Sequence, residues 1–460
     1  MNKLEEHVVR YQNIYLFLIL VLVLTLPLIS RAWNSQPLII GQESYYHLSQ
    51  AQDYSWREFY YYPLHILESL HSEPLLLGIQ FLLALLCLGL GLSLLKRGQF
   101  NTPTTPILVL FLILSPAFIF TFLSISAYSI YFFFYLLGFW LITQDQQKVR
   151  YLSLIPFALT TLTDFGSSLF TLLSLGTYYW YTKSQSIEHR KMVQVTLITT
   201  AGVTLLGLFL FNAPLSLGPF YPGNSVSELI SDLGSLSGVP FFVFLLGLFG
   251  AGSVWKDRNI LWMYSFLPLT ILLYILNSHY IFLLSLTLIF FAAQGYQKIF
   301  SNFWSLETLR KFTLMLVLLG LLFSIISFTN RLSEVGPSAD DREALTWIKE
   351  NIPEETQNKG IFSLPEESYY IKYFTQIQPF YEYHLYSNFQ DRVNITNRIL
   401  ASSYISTTFP LLEDNSLTMI YISSKMRQRY SEEEGLLYVL KNERFKMVHS
   451  NDNNQVWMFN

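Results

Sequence analysis

Tyr11-Gln-Asn-Ile-Tyr-Leu-Phe-Leu-Ile-Leu-Val-Leu-Val-Leu-Thr-Leu-Pro-Leu-Ile-Ser30 contains no charged side chain. About 20 apolar residues in helical form match the hydrocarbon thickness of a bilayer. A secretory leader also carries an apolar run. This one is long, has no small-x-small cleavage site and is followed by many more, so a retained anchor is expected. Further apolar stretches fall near 75–95, 106–122, 127–143, 151–163, 165–181, 192–212, 240–254, 260–276, 279–296 and 312–329. That makes about eleven expected spans. Those shorter than about 18 residues suit tilted or re-entrant helices. Composition agrees: only 13% of the 460 residues are charged, against about 25% in soluble domains. The net charge of −3 argues against a nucleic-acid partner, which calls for a basic patch. The single Cys87 lies in an apolar run and has no partner for an internal disulfide, so it reads as packing.

The basic residues orient the chain. Lys96 and Arg97, Lys148 and Arg150, Lys183 with Arg190 and Lys191, Lys256 and Arg258, and Lys298 with Arg310 and Lys311 fall in alternate loops. The loop 212–239 has no Lys or Arg. Positive loops stay inside. The expectation is a multi-pass protein of the cell membrane with its N-terminus in the cytoplasm. Glu43, the turn 122–126, Asp164, the loop 212–239, Asn277–His279 and everything after Asn330 then lie outside.

From about Leu332 the chain becomes polar, with charges of both signs and the length of a domain. Asp340–Asn351 reads as a helix, because Ala344, Leu345, Trp347 and Ile348 recur at helical spacing and Pro353 stops it. Gly360–Ser363 and Met419–Ser423 read as strands, Glu432–Leu440 as a helix, and Phe445–His449 with Gln455–Phe459 as a terminal hairpin. Asn394-Ile-Thr396 is a glycan-acceptor pattern. The expected fold is an α-helical polytopic membrane protein with a small C-terminal α/β domain outside the membrane. Its expected parts are a membrane domain, 1–331, with a first outer loop, 31–74, and an outer domain, 332–460.

Just after the first span comes Gly41-Gln-Glu-Ser-Tyr-Tyr-His-Leu-Ser-Gln-Ala-Gln-Asp53. In a helix, Glu43 and His47 share a face. The other ionisable groups expected outside are few: Asp53, Arg57, Glu58, His65, Glu68, His71 and Glu73, then Asp164, Glu228, Asp232 and His279. There is no Walker loop, no GxGxxG after a strand, no GxSxG and no HExxH. Mid-span ionisable residues are few and the hydropathy pattern has no repeat, which speaks against a transporter.

Gly41-x-Glu43-Ser-Tyr-Tyr-His47 resembles the acidic-x-Tyr-Tyr-His stretch in the first outer loop of oligosaccharyltransferase catalytic subunits, members of the GT-C superfamily of membrane glycosyltransferases. Glu343-Ala-Leu-Thr-Trp347-Ile-Lys-Glu-Asn351-Ile-Pro353 resembles the helix that opens their outer domain. Asn277-Ser-His279-Tyr280 resembles the place where relatives hold a basic residue near the lipid phosphate. There are departures. The acidic residue is Glu43 rather than Asp, the second outer turn is Ser124-Ile-Ser126 rather than an acidic pair, and no WWDYG-type acceptor motif is present. Protein Asn is thus a disfavoured acceptor.

The resemblance implies sugar transfer from a polyprenyl-phosphate-linked donor at the outer face of the bilayer. A phosphate leaving group is already a stable anion and needs no general acid. The reaction needs a base for the acceptor and positive charge near the phosphate. Glu43 is the candidate base, and Asp164 a second base or co-ligand. Glu43 with Asp164 would hold a hard divalent ion such as Mg or Mn. His279, Arg57 and His47 are candidates for the phosphate, and Tyr45, Tyr46 and Tyr61 for stacking on the sugar. Each has a plainer reading: Glu43 as helix N-terminal charge, Asp164 as an N-cap, His279 as an interfacial residue, Arg57 as a partner of Asp53, and the tyrosines as an interface belt. A non-catalytic relative in surface-glycan assembly is the alternative function.

Overall fold

A computed structural model describes residues 3–52, 64–66, 73–97, 104–182, 186–210, 225–257, 260–302, 307–353, 360–381 and 389–459. The chain divides into two compact units: Met1–Ile29 with Ser55–Ser333, and Ser30–Tyr54 with Glu334–Asn460.

The first unit is helical. Among the described residues, four helical stretches are long and apolar enough to cross a membrane: Tyr11–Trp33, Glu73–Arg97, Ser278–Phe300 and Lys311–Asn351. The pair Thr104–Ile113 and Pro116–Leu123, bent by 53°, makes a fifth if counted as one span. The bend follows from Pro116, which lacks an N–H and pushes Ser115 into an extended conformation. Ala127–Ile142, Phe241–Val254 and Leu261–Leu276 are shorter apolar helices. The stretch expected to span at 151–163 instead holds the seven-residue helix Leu154–Thr160. Its end is a run of turns in which Thr160, Thr161 and Thr163 each donate to the carbonyl three residues back.

Burial separates the peripheral helices from the central one. In the apolar windows, 28% of the Tyr11–Trp33 stretch is buried against 72% of Ser278–Phe300. The central helix Ile281–Asn302 packs on Phe241–Val254, with Val243, Leu246, Leu284, Leu288 and Leu321 in one cluster. The crossing depends on small residues, as membrane helix pairs do. A Cβ on Gly250 would lie 1.9 Å from the Phe291 carbonyl oxygen, and one on Gly295 2.5 Å from that of Leu246.

The second unit is built on a four-stranded sheet of order β1-β2-β4-β3. β1 (Gly360–Phe362) runs parallel to β2 (Leu417–Ile422), while β4 (Gln455–Phe459) is antiparallel to both β2 and β3 (Phe445–Ser450). The expected terminal hairpin is present. The parallel pair needs a crossover, which the helices Ser368–Thr375, Phe389–Ala401 and Ile405–Asp414 supply. The glycan-acceptor pattern Asn394–Thr396 lies within the second of these helices. Phe362, Ile399, Leu412, Ile420, Ile422 and Met426 share the core. The helix Ala339–Asn351 starts at a capping box, Ser338 with Asp341, and ends two residues before Pro353. The helix expected at 432–440 is shorter, Gly435–Val439.

Residues 30–54 belong to this second unit through a buried arginine. Arg31 is 1% exposed. Its Nε donates to the Pro37 carbonyl at 2.6 Å, Nη1 to Val335 at 2.7 Å and Nη2 to Pro337 at 3.2 Å. A guanidinium fork spread over three carbonyls satisfies its own charge while tying two distant segments together.

Candidate active site

In the second unit the expected helix is Gln42–Gln52, with Glu43 in its first turn. Negative charge is favoured there by the helix dipole. Glu43 Oε1 stands 3.7 Å from His47 Nε2, and both side chains are 11% exposed. This contact between a carboxylate and an imidazole one turn apart is too long for a hydrogen bond. The helix is seated on tyrosines. Tyr45 is wholly buried, edge-on to Tyr370 and Tyr373 at 6.2 and 5.5 Å. Tyr46 meets Tyr369 at 5.1 Å and His47 at 5.1 Å. Because Tyr45 is enclosed by other rings, it has no face to offer a sugar; its role is packing. Tyr46 keeps partial exposure. Arg57 and Tyr61 lie outside the described residues, as do Tyr60 and Tyr62.

In the first unit the turn Asn277–Tyr280 gathers side chains from three other segments. Asp164 is the N-cap of Phe165–Tyr181. Its Oδ1 accepts from the Ser167 N–H at 2.8 Å and from the Tyr280 hydroxyl at 2.8 Å, and its Oδ2 accepts from the Ser167 hydroxyl at 2.5 Å. Gly166 lets the Tyr280 ring in: a Cβ there would come within 2.4 Å of it. His279 stacks on Tyr128, centroids 6.5 Å apart at 27°. The Ser278 hydroxyl bonds the Glu228 carboxyl, which burial pushes up and this bond pulls down. Three successive residues, Ser278, His279 and Tyr280, thus engage Glu228, Tyr128 and Asp164. Asn277 is 1% exposed, with its Oδ1 accepting from the His279 N–H at 3.0 Å and its Nδ2 without a partner.

Sequence reasoning names Asp164 and His279 but not the Tyr280 hydroxyl that donates to Asp164. It also gave Glu228 no role. The cap itself was readable, since Asp164 three residues before Ser167 is an N-terminal helix signature. The tyrosine contact spans more than a hundred residues and has no local signal.

The residues expected to hold a divalent ion fit it poorly. Among the described residues no three His, Cys, Asp or Glu side chains converge as a metal group. Both Asp164 oxygens already accept hydrogen bonds. No step below is routed through a metal.

No family model matches the chain, and no curated protein matches it. The solved structures show the fold, which is GT-C-like. The oligosaccharyltransferase of Archaeoglobus fulgidus in its apo form aligns with a TM-score of 0.55 at 11% identity, over 90% of this chain and 70% of that one. The same enzyme in complex with Zn and sulfate aligns at 0.51 and 12% identity, over 96% and 73%. ArnT from Cupriavidus metallidurans bound to undecaprenyl phosphate aligns at 0.51 and 12% identity, over 96% of this chain and 97% of that one. At such identities the likeness is one of fold.

Proposed function

We propose that the chain is a membrane glycosyltransferase that moves a sugar from a polyprenyl-phosphate-linked donor to an acceptor at the outer face of the membrane. The observation that carries this is the GT-C-like fold along nearly the whole chain. Undecaprenyl phosphate is the lipid in the ArnT structure, and a lipid phosphate is the leaving group assigned here. The reading carries with it a multi-pass chain whose N-terminus is cytoplasmic and whose tail, from about Leu332, is outside.

Glu43 takes the proton of the acceptor hydroxyl as that oxygen attacks the anomeric carbon and the bond to phosphate breaks. A positioned base of this kind is worth about 10²–10⁴ in rate. His47, 3.7 Å away, is assigned to the leaving phosphate. Tyr46, which keeps partial exposure, is assigned to the sugar. Asp164 acts as a cap that fixes the turn Asn277–Tyr280, a reading its three hydrogen bonds support.

The second reading, a non-catalytic component of surface-glycan assembly, draws on the turn 124–126. The family resemblance implies an acidic pair there, whereas here Ser124 donates to the Phe120 carbonyl at 2.7 Å and Ser126 caps the helix Ala127–Ile142. The test is direct. Membranes carrying the chain, given a polyprenyl-phosphate sugar labelled in the sugar, should move label out of the lipid fraction, and membranes carrying Glu43→Gln should not. Label that stays lipid-bound with the unaltered chain would favour the second reading. A protease probe at the C-terminus should report an outside location; a cytoplasmic tail would put Glu43 on the wrong side.

A further inference from the structure

Glu367 has no part in the reading above. It stands at the N-cap of the helix Ser368–Thr375 yet makes no capping bond. Its side chain turns inward and is wholly buried. One oxygen accepts from the Ser423 hydroxyl, and Oε2 has no hydrogen-bond partner. Tyr370, one turn on, faces the carboxyl without a bond of normal geometry.

The groups around it are defined. Asp341, 2% exposed, accepts from the Ser338 N–H and hydroxyl and from the Tyr421 hydroxyl, so its charge is satisfied. Lys425 lies nearby and donates to the Gly336 carbonyl at 3.2 Å. Glu366 is paired with Arg429 at 2.6 Å. Tyr421 and Tyr370 complete the shell. Against the helix Ser368–Thr375 packs the helix Gln42–Gln52, which carries Glu43, Tyr45, Tyr46 and His47. Burial, then repulsion from Asp341 and Glu366, outweighs Ser423 and Lys425 and raises the Glu367 carboxyl to about 8.

The helix that Glu367 opens is the seat of the Glu43 helix, since Tyr369, Tyr370, Tyr373 and Phe374 are the rings that hold Tyr45 and Tyr46. We propose that the neutral Glu367 carboxyl is a positioning residue that anchors this seat, and that loss of its proton to solvent unseats the helix Gln42–Gln52.

The sign follows from linkage. The seated state holds a proton that the unseated state releases at ordinary carboxyl pH. Seating is therefore strongest below that range, weakens by up to tenfold per pH unit as pH rises toward about 8, and is flat above.

The test is hydrogen exchange of the full-length protein in detergent, at about pH 5.5, 7 and 8.5, corrected for intrinsic exchange. Protection of residues 42–52 should fall with rising pH in the unaltered chain and hold constant in Glu367→Gln, which keeps a neutral side chain of the same shape. Protection that does not change with pH in the unaltered chain overturns the proposal. So does a titration that persists in Glu367→Gln, because it then belongs to His47 or Glu43. The exchange readout does not depend on the transferase reading. If exchange titrates while no chain transfers sugar, the positioning role stands and that reading fails.

Discussion

Asp164 and Glu43 occupy matching places: each is a carboxylate at the start of a helix, near a tyrosine-rich turn. Their surroundings differ. Asp164 accepts three hydrogen bonds, two from Ser167 and one from Tyr280. Glu43 faces an imidazole at 3.7 Å, at the edge of the protein surface. A carboxylate held by several donors is fixed in place and holds structure together. One set against a histidine can accept a proton and pass it on. On the proposed reading, the difference separates a carboxylate that shapes its turn from one that serves as the base.

The largest effect that tests this contrast is Glu43→Gln, expected to lower transfer by about 10²–10⁴ while thermal stability stays near that of the unaltered chain. A rate unchanged in that variant would remove the contrast. Asp164 should behave in the opposite way. Asp164→Ala is expected to lose about 1–2 kcal/mol of stability through the missing cap, read as a drop in melting temperature. Asp164→Asn, which still caps, should keep most of the stability and most of the transfer. An Asp164→Asn variant that folds normally and transfers nothing would make Asp164 a reacting group. Smallest is Tyr280→Phe, which removes one hydrogen bond to Asp164 for about 0.5–1.5 kcal/mol. A much larger loss of transfer there would tie the turn Asn277–Tyr280 to chemistry.

Much of this architecture can be read from local sequence. The apolar runs, the Pro353 stop, the hairpin about 451–454 and the Asp164 cap each depend on residues within a turn or two. What escapes such reading is long-range. Arg31 reaches Val335 and Pro337, and this draws the Glu43 stretch into the same unit as the tail. Tyr45 looks like an interfacial tyrosine until the rings of Tyr370, Tyr373 and Phe374 are found around it. Hydropathy at 151–163 resembles a span because Thr counts as nearly neutral, yet its hydroxyls turn the chain before a second helical turn is complete. Glu367 looks like a surface charge beside Glu366, and only the fold shows that one glutamate is paired at the surface and the other is enclosed.

The central claim, that Glu43 is the base for sugar transfer from a lipid-phosphate donor, is tested most directly by native mass spectrometry. The purified protein and its Glu43→Gln variant would be released from mild detergent and their bound lipids weighed. A polyprenyl-phosphate-linked sugar enriched on the variant is expected, because binding is intact and chemistry is stopped. Ordinary phospholipid alone on both forms, or equal amounts of sugar-lipid on each, would contradict it.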